Sequence, residues 1–595
     1  KDIVKFIKDI EDKLKDDKNL KKDETIWVFF DEINTCNSLG LLSEIICNHA
    51  CLGKKISENI IFLGACNPYR ELTKKMKESG LVYYNSEKIT RVNNLVYSVN
   101  ILPHSLLNFV FDFGSLKKED ENKYISSAIE SMISSLKKKK IIEISEDNLN
   151  ILQSQIIESI IICHDFIREK YDRSSISLRE IKRFGIFFEY FINYFKNKTF
   201  EGLRTSMNMT LYLSYYLRLN DKNHRNELVH KLNESKIFED FLNIPSKEVK
   251  SLTSQMKIEK GIALNRALKE NLFTSYICID NVIPLIIVGK PGTGKSLSLQ
   301  ILFNTLQGEY SENPIFRKKG KLYRYYYQGS EASTSQGIEE VFKKALMAKE
   351  QDKEKKRLNL VFFDEMGLAE RSNNNPLKIM HYLLEQERDK SVPFLGISNW
   401  RLDAAKINRA LNLSITDYDL EDLEETAISI AKALDEFLSS SFEGFFRTLA
   451  KTYYEYINLD TNKNFHGNRD FYHLIKTAMY DLMNKGEELQ KNEKRTLTEI
   501  GLFNLRRNFG GLSDSTSKIE EVFKNIYGYK YDDNFGKDNK FSVIDVIKKN
   551  LSNPNSRYLM LISEENDGSD IAKYLIKKLK KNYIEIGRAS CRERV

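Results

Sequence analysis

Residues Gly289-Lys-Pro-Gly-Thr-Gly-Lys-Ser296 match the pattern GxxxxGK[ST], and their surroundings narrow the fold. The preceding run Asn281-Val-Ile-Pro-Leu-Ile-Ile-Val288 is apolar nearly throughout, which predicts a short strand buried on both faces. The amphipathic run Leu297 to Leu306 predicts a helix. A strand, a glycine-rich turn and a helix, in that order, build an anion site. Glycines let successive backbone N–H groups turn inward around a phosphate. The helix N-terminus adds partial positive charge. Gly289, Lys290, Pro291, Gly292, Thr293, Gly294, Lys295 and Ser296 are therefore the candidate phosphate cradle. Lys295 is placed to reach the β/γ-phosphates and the Ser296 hydroxyl to ligate a divalent cation. The ligands expected are ATP and Mg2+.

Such a loop needs an acidic partner on a nearby strand. Leu358-Asn-Leu-Val-Phe-Phe363 ends in Asp364-Glu365, about 70 residues after Lys295. Asp364 is the candidate metal ligand and Glu365 the candidate polariser of the attacking water. Val392-Pro-Phe-Leu-Gly-Ile-Ser398 then reads as another strand, ending in Asn399, an amide able to sit between that water and the γ-phosphate. Phosphate loop, Asp-Glu strand and strand-end Asn in this order resemble the AAA+ arrangement and not that of kinases or GTPases.

The same signals occur earlier. Thr25-Ile-Trp-Val-Phe-Phe30 ends in Asp31-Glu32, and Asn59-Ile-Ile-Phe-Leu-Gly-Ala-Cys66 ends in Asn67-Pro68. Only 24 residues precede the first strand, so its phosphate loop is expected upstream. Glu32 and Glu365 are 333 positions apart, a spacing that suits one module, its helical lid and a connector. Asp31 joins Ser296 and Asp364 as a candidate metal ligand. Glu32 and Asn67 join Glu365 and Asn399 as candidate catalytic groups.

Residues 124–219 read mostly as helices. Arg179 and Arg183, one helical turn apart, resemble the lid arginine of AAA+ modules that points at the γ-phosphate, and Arg469 in His466-Gly-Asn-Arg469 holds the matching place in the second lid. Arg409, in Ala404-Ala-Lys-Ile-Asn-Arg-Ala410, stands where such modules present a finger to a neighbour's ATP; Arg91 is its weaker counterpart.

The rest of the chain limits the alternatives. Lys+Arg 92 against Asp+Glu 84 gives +8 over 595 residues, too small an excess to argue for nucleic acid. The runs Lys137–Lys140 and Lys353–Arg357 read as solvated ends, and Tyr323-Arg-Tyr-Tyr-Tyr327 as a core strand at an edge. The acidic run Asp417 to Glu425 suits the start of a helix. Seven cysteines with no CxxC spacing argue for free thiols in a reducing compartment. With no apolar run near the ~18 residues of a membrane span, the chain is expected to lack a transmembrane segment and to be cytoplasmic.

Several segments are more specific. Asp31-Glu-Ile-Asn-Thr-Cys-Asn-Ser-Leu-Gly-Leu-Leu42, Ala65-Cys-Asn-Pro-Tyr-Arg70, Leu102-Pro-His-Ser-Leu-Leu107 and Asp112-Phe-Gly-Ser-Leu116 look like the third AAA+ module of the mysterin (ring finger protein 213) family, giant dynein-like AAA+ E3 ubiquitin ligases. Asp364-Glu-Met-Gly-Leu-Ala-Glu370, Pro376-Leu-Lys with His381, and Gly396-Ile-Ser-Asn-Trp400 resemble its fourth. Arg507-Asn-Phe-Gly-Gly511 and Asn553-Pro-Asn-Ser-Arg-Tyr558 resemble the junction beyond. The resemblance implies a single-chain ring in which these two modules are the hydrolysing pair, with neighbouring modules and the ubiquitin machinery as partners. No RING or zinc-finger cysteine cluster occurs in this sequence, so ligase activity follows from the resemblance alone.

The fold expected is α/β: tandem AAA+ P-loop modules with parallel-sheet cores and helical lids. Residues 1–115 form a core without its phosphate loop, 116–220 its lid, and 221–270 a connector. A complete core follows at 271–418, its lid at 419–490, and the start of a truncated module at 491–584. Residues 585–595 resemble a translated sequencing adapter, which would make Cys591 artefactual. In such a ring Arg409 reaches into the Glu32 site, and the Lys295 site awaits a finger from the following module. The segment alone is thus expected to bind nucleotide and turn it over slowly. The alternatives are a dynein- or midasin-like motor or remodeller without ubiquitin chemistry, and a nucleotide-binding scaffold with dead sites, against which Glu32 and Glu365 argue.

Overall fold

A computed structural model describes residues 2–16, 25–71, 95–97, 99–114, 116–354, 356–372, 374–459, 465–510, 514–528, 543–552 and 568–578. Arg91, Gly511, the run Asn553 to Tyr558, the tail 585–595 and Cys591 lie outside these residues. The chain divides into two compact units. One comprises residues 1–257, 269–290 and 294–417, and the other 258–268, 291–293 and 418–595.

The first unit opens on α1 (Asp2–Asp16), whose Ile3, Ile7, Ile10 and Leu14 recur at helical spacing and pack on a small sheet. That sheet pairs β1 (Ile26–Phe30) in parallel with β2 (Ile60–Gly64), in register from Ile26↔Ile60 to Phe30↔Gly64. Alternation splits β1: Val28 enters the core with Ile45 of α2 (Leu39–Asn48), while Trp27 and Phe29 are each 62% exposed.

Four helices follow: α3 (Lys118–Lys138), α4 (Glu146–Lys170), α5 (Arg179–Phe195) and α6 (Phe200–Leu211). The apolar stripe of α4 is buried. His164 on it is a satisfied core histidine, 3.3 Å from both Glu121 and the Tyr215 hydroxyl.

The complete core of this unit is a five-stranded parallel sheet. Its strands are β3 (Leu285–Val288), β4 (Lys321–Gln328), β5 (Arg357–Asp364), β6 (Phe394–Ser398) and β7 (Leu411–Ser414), in the order β4-β5-β6-β3-β7. β3, β6 and β7 are buried along their whole lengths, as strands covered on both faces should be. The edge strand β4 buries Leu322 and exposes Arg324 and Tyr326. The β6 strand lies between the phosphate-loop strand β3 and the Asp-Glu strand β5, which is the AAA+ order. After β3 the chain enters α7 (Lys295–Thr305).

The second unit is helical: α8 (Leu420–Leu434), α9 (Glu443–Leu459), α10 (Asn468–Asn484), α11 (Glu493–Asn508) and α12 (Ser515–Tyr527). The acidic run does start α8, where Asp419 and Asp422 form a capping box. One hydrophobic core runs from Leu423 through Phe446 and Leu474 to Leu505 and Phe523. The division expected between 490 and 491 therefore falls inside a single core. α11 and α12 bury their apolar faces against α8 to α10 in that core. Phe523→Ala should accordingly cost ~3–5 kcal/mol, the usual loss for a buried Phe, read as a lower denaturation midpoint of this unit.

Candidate nucleotide sites

The loop between β3 and α7 turns through Gly292 (φ +83°) and Gly294 (φ +78°), left-handed conformations that side chains rarely adopt. Gly294 is the N-cap of α7, so the helix begins at Lys295 with its N-terminus facing the loop. Lys295 is buried, and its ammonium donates to the carbonyls of Gly289 and Lys290 (2.9 Å) and to Asn399 Oδ1 (3.0 Å). Asn399 follows β6 directly. Its Nδ2 donates to both oxygens of Glu365, at 3.3 and 3.0 Å. Sensor amide, lysine and glutamate thus form one chain of contacts. Asp364 ends β5 and caps the Glu365 N–H at 2.9 Å. Ser296 is exposed in the first turn of α7, while Lys290 at the loop entrance pairs with Asp417 at 2.8 Å. Glycines in the left-handed region, a helix N-terminus and a buried ammonium together fit a phosphate, and Ser296 with Asp364 supplies the hard oxygens a divalent cation needs.

In the second unit, α10 packs on the middle of the same loop. The Tyr472 hydroxyl donates to the Gly292 carbonyl at 2.8 Å. A Cβ at Gly292 would stand 3.1 Å from Asn468 Cβ and 3.3 Å from Arg469 Cγ.

The first Asp-Glu pair repeats the second in backbone detail. Glu32 has φ 50°, ψ 47° and Glu365 φ 49°, ψ 42°, both left-handed and both opening a short helical turn. Non-glycine residues held there carry strain that concentrates at functional sites. The surroundings of the two differ. Glu32 is buried, Arg409 Nη2 donates to its Oε1 at 3.3 Å, and His381 Nδ1 lies 2.8 Å from its Oε2. Burial pushes the Glu32 carboxyl up, but His381, Arg409 and the Asn67 amide outweigh it and hold the group below its usual range. Asn67 is further fixed through its carbonyl, which accepts from Asn34 at 2.7 Å.

Arg409 is positioned by the first lid. Glu180, fully buried on α5, accepts from Arg183 at 2.7 Å and from Arg218 at 2.6 Å. Their other nitrogens grip Asn408: Arg183 its carbonyl and Arg218 its Oδ1, both at 2.7 Å, while Asn408 Nδ2 donates to Ser174. Arg183 is therefore a clamp on the residue before Arg409. Arg179 is half-exposed and lies 3.0 Å from Glu385, whose same oxygen is 3.2 Å from Arg409 Nε. Lys406, one turn before, is buried between Glu370 (3.3 Å) and Asp403 (3.7 Å). Burial lowers its pKa, but those two carboxylates more than compensate and keep the ammonium charged.

The structure thus gathers Glu365, Asn399, Lys295 and Asp364 in one place and Glu32, Asn67 and Arg409 in another. Sequence reading missed Glu180, Arg218, Asn408 and Glu385, which carry no motif. It noticed His381 without giving it a role. Among the described residues no group of three or more His, Cys, Asp or Glu could hold a metal, and no helix is long and apolar enough to cross a membrane. The described cysteines are free.

A family model described as the RNF213 AAA domain matches residues 261–422, a span that contains β3 to β7 and every candidate residue of the Lys295 site up to Arg409. Over those residues the chain is similar to the RNF213 AAA domain. The human E3 ubiquitin-protein ligase RNF213 is 29% identical over 94% of this chain, the mouse one 28% over 90%, and the zebrafish (Danio rerio) rnf213-beta 29% over 98%. The chain spans 11–12% of the length of these curated relatives. Among solved structures, a RuvB of Thermotoga maritima aligns over 53% of this chain and 92% of its own, with 15% identity and a TM-score of 0.23. The AAA+ assignment rests on the strand order and the loop.

Close packing behind Glu365 gives a test of the site's rigidity. A Cβ on Gly329 would stand 2.2 Å from the Glu365 carbonyl oxygen, and Gly329 N–H already donates to the Asp364 carbonyl at 2.8 Å. Backbone on both sides cannot give way, so Gly329→Ala should cost ~1–3 kcal/mol, seen as a fall in the denaturation midpoint of the first unit.

Proposed function

We propose that this segment is part of the ATP-hydrolysing motor core of an RNF213-like E3 ubiquitin ligase, with ATP and Mg2+ used at the joints between successive modules. The observation that carries the reading is Arg409, which belongs to the second core and reaches Glu32 of the first at 3.3 Å. An arginine aimed across a joint at the residue that would polarise the attacking water is what transfer of a phosphoryl group between modules needs. At the second site Lys295 would bind the β/γ-phosphates, Ser296 and Asp364 would hold Mg2+, Glu365 would polarise the water and Asn399 would orient it. Arg469 would contact nucleotide from the second lid, and Arg179 from the first. At the first site Asp31, Glu32 and Asn67 would play the corresponding parts.

Ubiquitin transfer is carried over from the relatives' names; a cytoplasmic location, ubiquitin-machinery partners and a ring of modules complete the proposal. A dynein- or midasin-like remodeller would share the motor and lack that transfer.

Two measurements test the motor. The purified segment should bind a fluorescent ATP analogue, with Lys295→Ala weakening binding at least tenfold, since the lysine's charge contact with the phosphates is lost. Its own turnover should be slow, because a trans arginine is worth roughly 10³-fold or more. Brisk turnover by the monomeric segment, lost on Glu365→Gln, would sink the joint reading. In the full-length protein, Arg409→Ala should lower kcat roughly 10³-fold at the first site with nucleotide still bound.

A further inference from the structure

His381 is in the wrong module to be an ordinary neighbour of Glu32. It sits on the turn Met380–Leu383, in the second core, directly after the turn Pro376–Ile379. Its side chain is 14% exposed, and Nδ1 is 2.8 Å from Glu32 Oε2. Its Nε2 and Glu32 Oε2 are both buried with no hydrogen-bond partner among the described residues, so the approach of Nδ1 to Oε2 is a close contact off the hydrogen-bond direction. Both groups line a cavity together with Asn67, Tyr97, Lys378 and Lys406. At the other site, Asn399 approaches both oxygens of Glu365.

A glutamate has three rotatable bonds, and a base is useful only when one oxygen is held in the direction of the water. Arg409 touches Oε1, but a finger arginine must turn its guanidinium to the phosphate when it acts. The Oε2 contact is then the second core's remaining hold on Glu32.

We propose that His381 is a second trans-acting group at the first site: a positioning residue that fixes Glu32 through Oε2 and leaves Oε1 to the water once Arg409 engages phosphate. The proposal rests on Glu32 being the water-polarising group of an ATP site. It makes hydrolysis in the first module depend on the placement of the turn 380–383 in the second, not only on the finger.

The test uses the full-length protein carrying Glu365→Gln, so that turnover at the second site is removed. ATPase kcat and KM are measured after further substitution. Glu32→Gln should abolish a component of the remaining turnover; if it does not, the reading of the first site fails and the proposal with it. His381→Ala should lower that component's kcat by roughly tenfold or more with KM nearly unchanged. His381→Asn places an amide N–H where Nδ1 stands and should restore most of the rate. His381→Gln places its amide where Nε2 stands and should not. Loss on Glu32→Gln with full activity in His381→Ala would overturn the proposal. So would equal rescue by Asn and Gln, or rescue by neither, since then only the volume or charge of the ring would matter.

Discussion

One buried carboxylate holds the joint together. Glu180 is fully buried and accepts from two arginines, each of which grips Asn408 with its other arm. Burial alone would raise the Glu180 pKa, yet Arg183 and Arg218 hold it below its usual value. The ion is tolerated because two guanidinium groups meet its Oε1 and turn their other nitrogens to the Asn408 and Ser175 carbonyls and to Asn408 Oδ1, and buried pairs of this kind fix geometry even where they add little stability. What they fix is the backbone one residue before Arg409. Arg183 and Arg218 thereby fix the backbone from which Arg409 reaches Glu32. Removing Glu180 would leave two guanidinium groups buried without compensation, and the clamp would open where the finger is anchored.

The two Asp-Glu sites show how similar local structure is put to different use. Both glutamates share a left-handed backbone and a strand-end asparagine. The strain is affordable only because neighbours over-determine it. Behind Glu365 this is the backbone of Gly329, too close for any side chain. Around Glu32 it is Arg409 and His381 from the other core. A carboxylate held below its usual pKa is a weaker base. Contacts that stabilise the Glu32 anion therefore also restrain it as a base.

The sequence made the second core legible because its chemistry is local. Strand, loop and helix are contiguous from Leu285 to Thr305, and the glycines at 292 and 294 must adopt the positive φ that the pattern requires. Asp364 and Asn399 were readable because each ends an apolar run. What escaped was non-local. Asn408 meets Ser174 from 234 residues away, and Arg218 meets it from 190. No periodicity or spacing encodes such a meeting. Arg183, read with Arg179 as resembling the lid arginine that points at a γ-phosphate, is buried against Glu180 and Asn408. The packing of α11 against α8 to α10 was hard to read because the Lys- and Glu-rich surface of residues 485–495 hides the apolar stripe that begins at Leu497.

The same non-locality explains why the first site is built as it is. A module that carried all its catalytic cations in cis could fire regardless of its neighbours. Here the carboxylate comes from one core, while Arg409 and His381 come from the next, and Arg183 and Arg218 from the intervening lid. Each contact is about 3 Å long. A shift of one core against the other by one or two ångströms would break all of them, since hydrogen-bond strength falls steeply beyond that range. Rigid packing of lid to core then converts a small displacement into an on-or-off change in electrostatics. A site divided in this way reports the state of the joint, and that is the property a ring of linked modules needs if hydrolysis in one is to follow movement in another.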